Sequence, residues 1–321
     1  MRKSEPRQRQ GSRLPLSNRK RKKIIAEALA SAAVLTGVGF MLYNKLTDMD
    51  FGEIIIDGIP EKAENALRIM SFNLRYRDDK DGSVKNRSKI ASAIIEQYAP
   101  DSFGVQEATG GWLDILNKAL GEKYAYVGEA RDDMGYKSER SAVFYLKDKY
   151  NLIDEGTIWL SETPEVKYTK SFDSACHRVA TWAVLENKET GEVYTHLNTH
   201  LDHVLEETRA RQIEVLIDKL EQLQQKTRVF CTGDFNTDQR SETYKRMLRV
   251  VDDSRAVAES SDDGITFHDY GKAAADGEYN GAIDYVFVPG GSRVSTYKII
   301  RNTVKDMYPS DHYPVVADII G

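Results

Sequence analysis

Short apolar runs bounded by polar turns recur through residues 67–321 and predict strands at Leu67–Tyr76, Asp101–Glu107, Tyr124–Val127, Ser141–Leu146 and Leu152–Leu160. A hairpin follows, with Val179–Glu186 and Val193–His200 flanking the turn Lys188-Glu189-Thr190-Gly191. Later strands are predicted at Arg228–Thr232, Ile283–Val288, Ser295–Ile300 and Tyr313–Ile319. Helical spacing marks Arg87–Tyr98, where Ile90, Ala93, Ile94 and Tyr98 share a face and Pro100 lies past the end. Trp112–Leu120 and a segment near Glu242–Val250 read as helices too, as does Glu206–Gln225, with Ile213, Leu216, Ile217 and Leu220 on its buried side. Strands interrupted by helices around a central hairpin predict an α/β domain with mixed sheets. Two sheets face to face with helices outside accommodate both patterns.

The first 66 residues follow another pattern. Residues 1–23 form a basic tail ending in Arg19-Lys20-Arg21-Lys22-Lys23, and residues 24–43 are mostly apolar with Glu27 the only charge. From Ala28 to Asn44 there are 17 residues without a formal charge, near the lower limit of what spans a bilayer. Basic residues stay cytoplasmic, so a retained anchor at 24–43 places the body outside the cytoplasm, on a single-pass membrane protein. Cleavage after Ala28-Leu29-Ala30 or Ala30-Ser31-Ala32 is the competing reading, and it leaves an apolar core shorter than most signal peptides carry. Residues 44–66 read as a polar linker and 67–321 as the working domain.

Charge separates these parts. The whole chain carries a formal net charge of −5. Residues 1–23 hold ten Lys/Arg against Glu5, a net of +9, which leaves the other 298 residues at −14. So acidic a body disfavours duplex nucleic acid as partner, because phosphate neutralisation needs clustered cations. Cys176 and Cys231 are too few for a disulfide scaffold or a cysteine-rich zinc module.

Candidate chemistry gathers at strand ends. Ile69-Met70-Ser71-Phe72-Asn73 ends on an amide, and Phe103-Gly104-Val105-Gln106-Glu107 on a carboxylate. In Tyr194–Asp202, alternation puts His196, Asn198, His200 and Asp202 on one face. Phe230–Asn236 opens onto Asp234 and Asn236, Asp284 lies inside an apolar strand, and Ser310-Asp311-His312 precedes the last strand. Singly, each has an ordinary explanation as a cap, a turn or a solvated end. Asp284 is the exception, since an acid in a strand interior needs a partner.

Asn73, Gln106-Glu107, Asn198-Thr199-His200-Leu201-Asp202, Gly233-Asp234-Phe235-Asn236, Ile283-Asp284-Tyr285 and Ser310-Asp311-His312-Tyr313-Pro314 occur in this order. The set resembles the endonuclease/exonuclease/phosphatase superfamily, the DNase I-like group, over about Arg68–Ile319. Trp159-Leu160-Ser161-Glu162-Thr163-Pro164, Arg178, and Thr181-Trp182 add a likeness to a bacterial subgroup of small metal-dependent hydrolases. Phe172 stands where that subgroup usually has Trp. The resemblance implies a four-layer α/β sandwich and a phosphoesterase using Mg²⁺ or Mn²⁺.

It also implies roles. Glu107 and Asn73 are expected to hold the metal, with Asp311 a further ligand or acceptor, since magnesium takes oxygen donors. His312 and Asp284 suit a dyad, and either His312 or Asp234 is expected to take the proton, with Asn236 holding water or a phosphoryl oxygen. His200 is expected to donate to phosphate, and Arg178 to bind it. Asp202, His203 and His268 are expected to touch substrate, and Glu139 to support the pocket. His196 reads as structural, and Trp112, Trp159 and Trp182 as packing residues. The expected substrate is a small phosphorylated molecule or lipid headgroup, handled by a monomer. An extracytoplasmic nuclease is the alternative, and retention of Glu107, Asp234, Asn236, Asp284 and His312 argues against an inactive binding module.

Overall fold

The computed structural model describes residues 48–79, 81–272 and 281–320. The basic tail and the anchor expected at 24–43 lie outside the described residues. Among the described residues no helix is long and apolar enough to cross a membrane. The chain separates into two units, of which the second, Phe51–Gly321, carries the elements below.

Among the described residues, thirteen strands form two mixed sheets. The strands are β1 (Leu67–Asn73), β2 (Ser102–Ala108), β3 (Tyr124–Val127), β4 (Arg140–Leu146), β5 (Tyr150–Trp159), β6 (Val179–Asn187), β7 (Val193–His200), β8 (Arg228–Asp234), β9 (Asp252–Asp253), β10 (Ala258–Ser261), β11 (Asp284–Val288), β12 (Val294–Ile299) and β13 (Val315–Ile319). One sheet runs β10-β12-β13-β1-β2-β4-β3 and the other β5-β6-β7-β8-β11-β9. The helices are α1 (Val84–Tyr98), α2 (Gly110–Leu120), α3 (Glu206–Gln224), α4 (Glu242–Met247) and α5 (Ser254–Val257).

Several boundaries shift for local reasons. The first strand stops at Asn73 because Arg75 adopts a positive φ of 57° and turns the chain. Helix α1 begins at Val84, where Ser83 caps it by accepting from the Asn86 N–H. Strand β13 starts only after Pro314, which has no N–H to give a neighbouring strand. Strands β9 and β10 were not predicted, being too short and polar for alternation to show.

The sheets meet through Ile69, Val143, Val315 and Tyr297 of the first and Leu185, Phe230 and Val286 of the second. On the outer side of the second sheet, Ile213, Leu216 and Leu220 of α3 pack on Leu197, Val229, Cys231 and Phe287. Helices α1 and α2 pack on each other and α2 on β2 and β3 of the first sheet, burying Ile90, Ile94, Trp112 and Leu116. Two sheets with helices on the outer faces are therefore observed.

A directed line of hydrogen bonds crosses the apolar interlayer. The Tyr194 hydroxyl donates to Ser102 Oγ at 3.1 Å, which leaves Ser102 to donate to His196 Nδ1 at 2.7 Å. His196 Nε2 then donates to Thr232 Oγ1 at 2.8 Å, and Thr232 to Asn198 Oδ1 at 3.0 Å. Gln106 Nε2 donates to the same Asn198 oxygen (2.7 Å) and to Ser71 Oγ (3.1 Å). Burial lowers the His196 imidazole to about 3, so the ring is neutral and carries one proton, as this sequence of donors demands. Gly104 makes room for the crossing: a Cβ there would lie 2.2 Å from Thr232 Oγ1 and 2.3 Å from Asn198 Oδ1.

Candidate active site

Strand directions explain why residues far apart in sequence converge. β1 is parallel to β2 and β7 to β8, so Asn73, Glu107, His200 and Asp234 all fall at carboxyl ends of strands. β11 runs antiparallel to β8 and sets Asp284 directly opposite Asp234. β13 is antiparallel to β1, which returns the preceding Ser310–His312 segment to the same edge. Glu107, at an irregularity near the end of β2, and Asn236, just past β8, adopt positive φ values of 58° and 49°, bending the chain where their side chains are presented.

Asn73 joins the two sheets at this edge. Its Nδ2 donates to Glu107 Oε1 at 3.2 Å and to Asp234 Oδ2 at 2.9 Å, while its Oδ1 accepts from the Arg75 N–H. The other Glu107 oxygen accepts from the Tyr76 N–H at 2.9 Å. Asp234 Oδ1 accepts from the Asn236 N–H, and Asn236 Nδ2 lies 3.0 Å from His200 Nε2. His200 Nε2 is also 3.4 Å from Asp234 Oδ2.

His312 sits between two carboxylates, with Nδ1 2.9 Å from Asp284 Oδ2 and Nε2 3.8 Å from Asp234 Oδ2. Burial alone would lower its pKa, but Asp284 and Asp234 outweigh burial and raise it to about 10. Burial, reinforced by the charge of Asp284, pushes the Asp234 carboxyl up to about 7 against the opposing pull of His312. His200 is driven the other way, by burial and by the cations Arg178 and Arg131. The cluster therefore holds one imidazolium, one neutral imidazole and a carboxyl that titrates near neutrality.

A narrow cleft adjoins this cluster, bordered by Glu107, Arg131, Glu139, His177, Arg178 and His200. Arg131 and Glu139 form a double hydrogen bond at 2.9 and 2.6 Å. Burial raises the Glu139 carboxyl to about 7, with Glu107 adding to it and Arg131 opposing. Arg178 Nη2 lies 3.1 Å from His203 Nδ1, which ties those two expected substrate residues together at the cleft wall. Neither Arg131 nor His177 stood out in the sequence, since isolated polar residues in loops carry no periodic signal.

Other expected site residues turn elsewhere. Both Asp202 oxygens are engaged: Oδ1 by the Val204 and Leu205 N–H groups, Oδ2 by the Ala175 N–H and the Ser174 hydroxyl. His268 is 2% exposed, stacks on Tyr313 at 3.8 Å and accepts from the Gly271 N–H. Asp311 Oδ2 lies 3.4 Å from Arg75 Nε, and its Oδ1 accepts from the Ser310 hydroxyl. His196 lies within the interlayer hydrogen-bond line, away from the cleft.

Among the described residues, Asp234, Asp284 and His312 also form a group whose potential ligand atoms lie within 4.8 Å of one another. The hydrogen bond to Asp284 and the raised pKa occupy His312 as an imidazolium, which has no lone pair for a metal. Glu107 and Asn73 are the better fit for a hard cation. Glu107 borders the cleft and is only partly buried, and Asn73 adjoins it through Nδ2, its Oδ1 keeping a second lone pair beside the one given to the Arg75 N–H.

The family model for the Endonuclease/Exonuclease/phosphatase family matches residues 70–312. The chain belongs to that family. Its members are hydrolases acting on phosphate esters and are generally dependent on divalent metals. A solved family protein from Bacteroides vulgatus is 30% identical, with a TM-score of 0.75 over 80% of this chain and 99% of that one. A mannosyl-6-phosphatase from Bacteroides thetaiotaomicron is 29% identical, with a TM-score of 0.72 over 79% of this chain and 100% of that one. A functionally unknown conserved protein from Enterococcus faecalis is 24% identical, with a TM-score of 0.71 over 79% of this chain and 99% of that one, and shares the fold. Among curated proteins no sequence matches.

Proposed function

We propose that this protein is a phosphomonoesterase acting on a small phosphorylated molecule. The observation that carries the reading is the enclosed meeting of Asp234, Asp284, His312, His200 and Asn73 beside a cleft bordered by Arg131, Arg140 and Arg178 against Glu107 and Glu139. Three guanidinium groups against two carboxylates favour a compact anion. The narrow cleft supports a small substrate over a duplex, as does the acidic body. The Bacteroides thetaiotaomicron relative, named as a phosphatase of a phosphorylated sugar, supports it as well.

The protonation states divide the labour. His312 already carries its proton in the resting state, so it serves as a cation facing the phosphoryl group and not as the base. Asp234, titrating near neutrality, is placed to accept a proton from the attacking water, and Asn236 fixes that carboxylate through its backbone N–H. Arg178 and the neutral His200 donate to phosphoryl oxygens. Glu107 and Asn73 would hold Mg²⁺ or Mn²⁺, which supplies Lewis-acid stabilisation of the phosphoryl oxygens when bound.

The test is a panel of phosphomonoesters, phosphodiesters, a lipid phosphodiester and plasmid DNA, each with and without Mg²⁺. Metal-dependent release of phosphate from monoesters is expected. Plasmid cutting with a steep salt dependence, and no monoester turnover, would replace this reading with a nuclease. Residues 24–43 are proposed to anchor the protein in the cell membrane with the catalytic domain outside the cytoplasm. A chain starting at Asp48 should then leave the membrane fraction, whereas its continued sedimentation with membranes contradicts the anchor.

A further inference from the structure

The geometry points to a leaving-group subsite for a neutral, polyhydroxylated moiety, built by Arg131 and Glu139 with His177 on the wall of the catalytic cleft. This rests on the phosphomonoesterase reading and extends it from the phosphate to the group that carries it.

The pair is held rigidly. Beyond their two side-chain hydrogen bonds, the Arg131 N–H donates to the Glu139 carbonyl at 3.0 Å, so the two close the base of one loop. The buried Trp159 ring fixes the other side, with Nε1 donating to the Arg131 carbonyl at 2.7 Å. A bidentate pair with both backbones tied loses little side-chain freedom when it meets a ligand. Its function is not explained by stability alone, because two charged groups facing a cleft keep unused valences there.

Those valences match hydroxyl groups. Glu139 spends one lone pair of each oxygen on Arg131, leaving acceptor capacity on both. Arg178 Nε is buried without a hydrogen-bond partner and Arg178 is 4% exposed, while Arg131 Nε lies 3.7 Å from Asp132 Oδ2, in an ion pair but beyond hydrogen-bond range. A vicinal diol offers the complementary set, donating to the carboxylate and accepting from a guanidinium. Of the residues bordering the cleft, Val179 alone is apolar and none is Phe, Tyr or Trp. A nucleobase would find only the small imidazoles of His177 and His200 and no Phe, Tyr or Trp platform, and an acyl chain no apolar wall. A hydroxyl-rich ligand meets hydrogen-bonding groups along almost all of this lining.

The experiment compares mannose 6-phosphate with 4-nitrophenyl phosphate, two monoesters that share the phosphate and differ in the leaving group. It uses the full-length protein with Mg²⁺, as wild type and as Glu139→Gln, Glu139→Ala and Arg131→Lys. The ratio of kcat/KM for the sugar ester to that for the aryl ester should fall at least tenfold in each variant, mainly through a higher KM for the sugar ester. Should Glu139→Ala fail to fold, Glu139→Gln keeps the side-chain volume and carries the same comparison. An unchanged ratio with both esters turned over removes the subsite and leaves the phosphomonoesterase reading standing. No turnover of either ester by wild type overturns that reading, and the subsite falls with it.

Discussion

His312 donates from Nδ1 to Asp284 Oδ2 across 2.9 Å, and this contact holds the ring as an imidazolium at neutral pH. The pairing sets a pH profile. Activity should rise with pH as Asp234 loses its proton near 7, and fall as His312 loses its own near 10. In Asp284→Asn the charge that supports His312 is gone, so the alkaline limb should move down toward the ordinary histidine value of about 6.5. The acid limb should move down too, because Asp284 also helps to raise Asp234. With kcat/KM reduced about 10²- to 10⁴-fold at its optimum, a full pH–rate profile checks both shifts. An alkaline limb that stays near 10 would falsify the coupling.

Glu107 is partly exposed at the cleft floor and braced by Asn73 and the Tyr76 N–H. Glu107→Ala should abolish metal-dependent phosphate release while leaving the melting temperature within a few degrees of wild type. A chelator should silence the wild-type protein, and added Mg²⁺ or Mn²⁺ should restore it. Calorimetric titration of Mg²⁺ into the wild-type and variant proteins reads the site directly. Equal binding by both would move the metal away from Glu107.

Gly104 illustrates a different sensitivity. Its replacement by Ala pushes a methyl group into Thr232 and Asn198, the two residues that carry the interlayer hydrogen bonds toward Gln106. Overpacking costs about 1–3 kcal/mol, and a broken buried hydrogen bond adds about 1–3 kcal/mol. Gly104→Ala should lower the denaturation midpoint without altering the shape of the pH–rate profile, since Asp234, His312 and Asp284 lie beyond the disturbed line. A chemical-denaturation curve indistinguishable from wild type would mean the sheets can separate to admit the methyl group.

Much of this was legible in sequence because β-structure writes itself with a period of two. His196, Asn198 and His200 do share the inner face of β7, while Leu197 packs outward under α3. Asp284 needed a partner and has one in His312. What alternation could not convey was depth along that face. His196 and His200 look alike on paper, yet one is locked between Ser102 and Thr232 and the other faces Arg178 across the cleft. Nor could it show that Asp311 would meet Arg75, since Arg75 reaches it only after a left-handed turn. Glu139 was expected at the pocket, but its partner Arg131 escaped because the two are eight residues apart in an irregular loop, where no period exists.

Asp202 closes the set, standing just past β7 where a substrate contact was expected. Its carboxylate instead gathers the Ser174–Ala175 turn and the start of the 203–205 loop through four donors. Burial works against its charge, but the backbone N–H groups of Val204, Ala175 and Leu205 prevail and lower its pKa. A depressed carboxylate contributes stability that is present above its ordinary range near 4 and is lost as pH falls through the folded value. Asp202→Ala strands those donors and should cost about 2–4 kcal/mol at pH 7. The difference from wild type should shrink in acid, where wild type also loses the charge. KM should rise modestly, because His203 and Arg178 sit on the segments that Asp202 ties down. Melting curves at pH 7 and pH 3 decide the matter: an equal gap at both would show that the carboxylate charge is not what holds the two loops together.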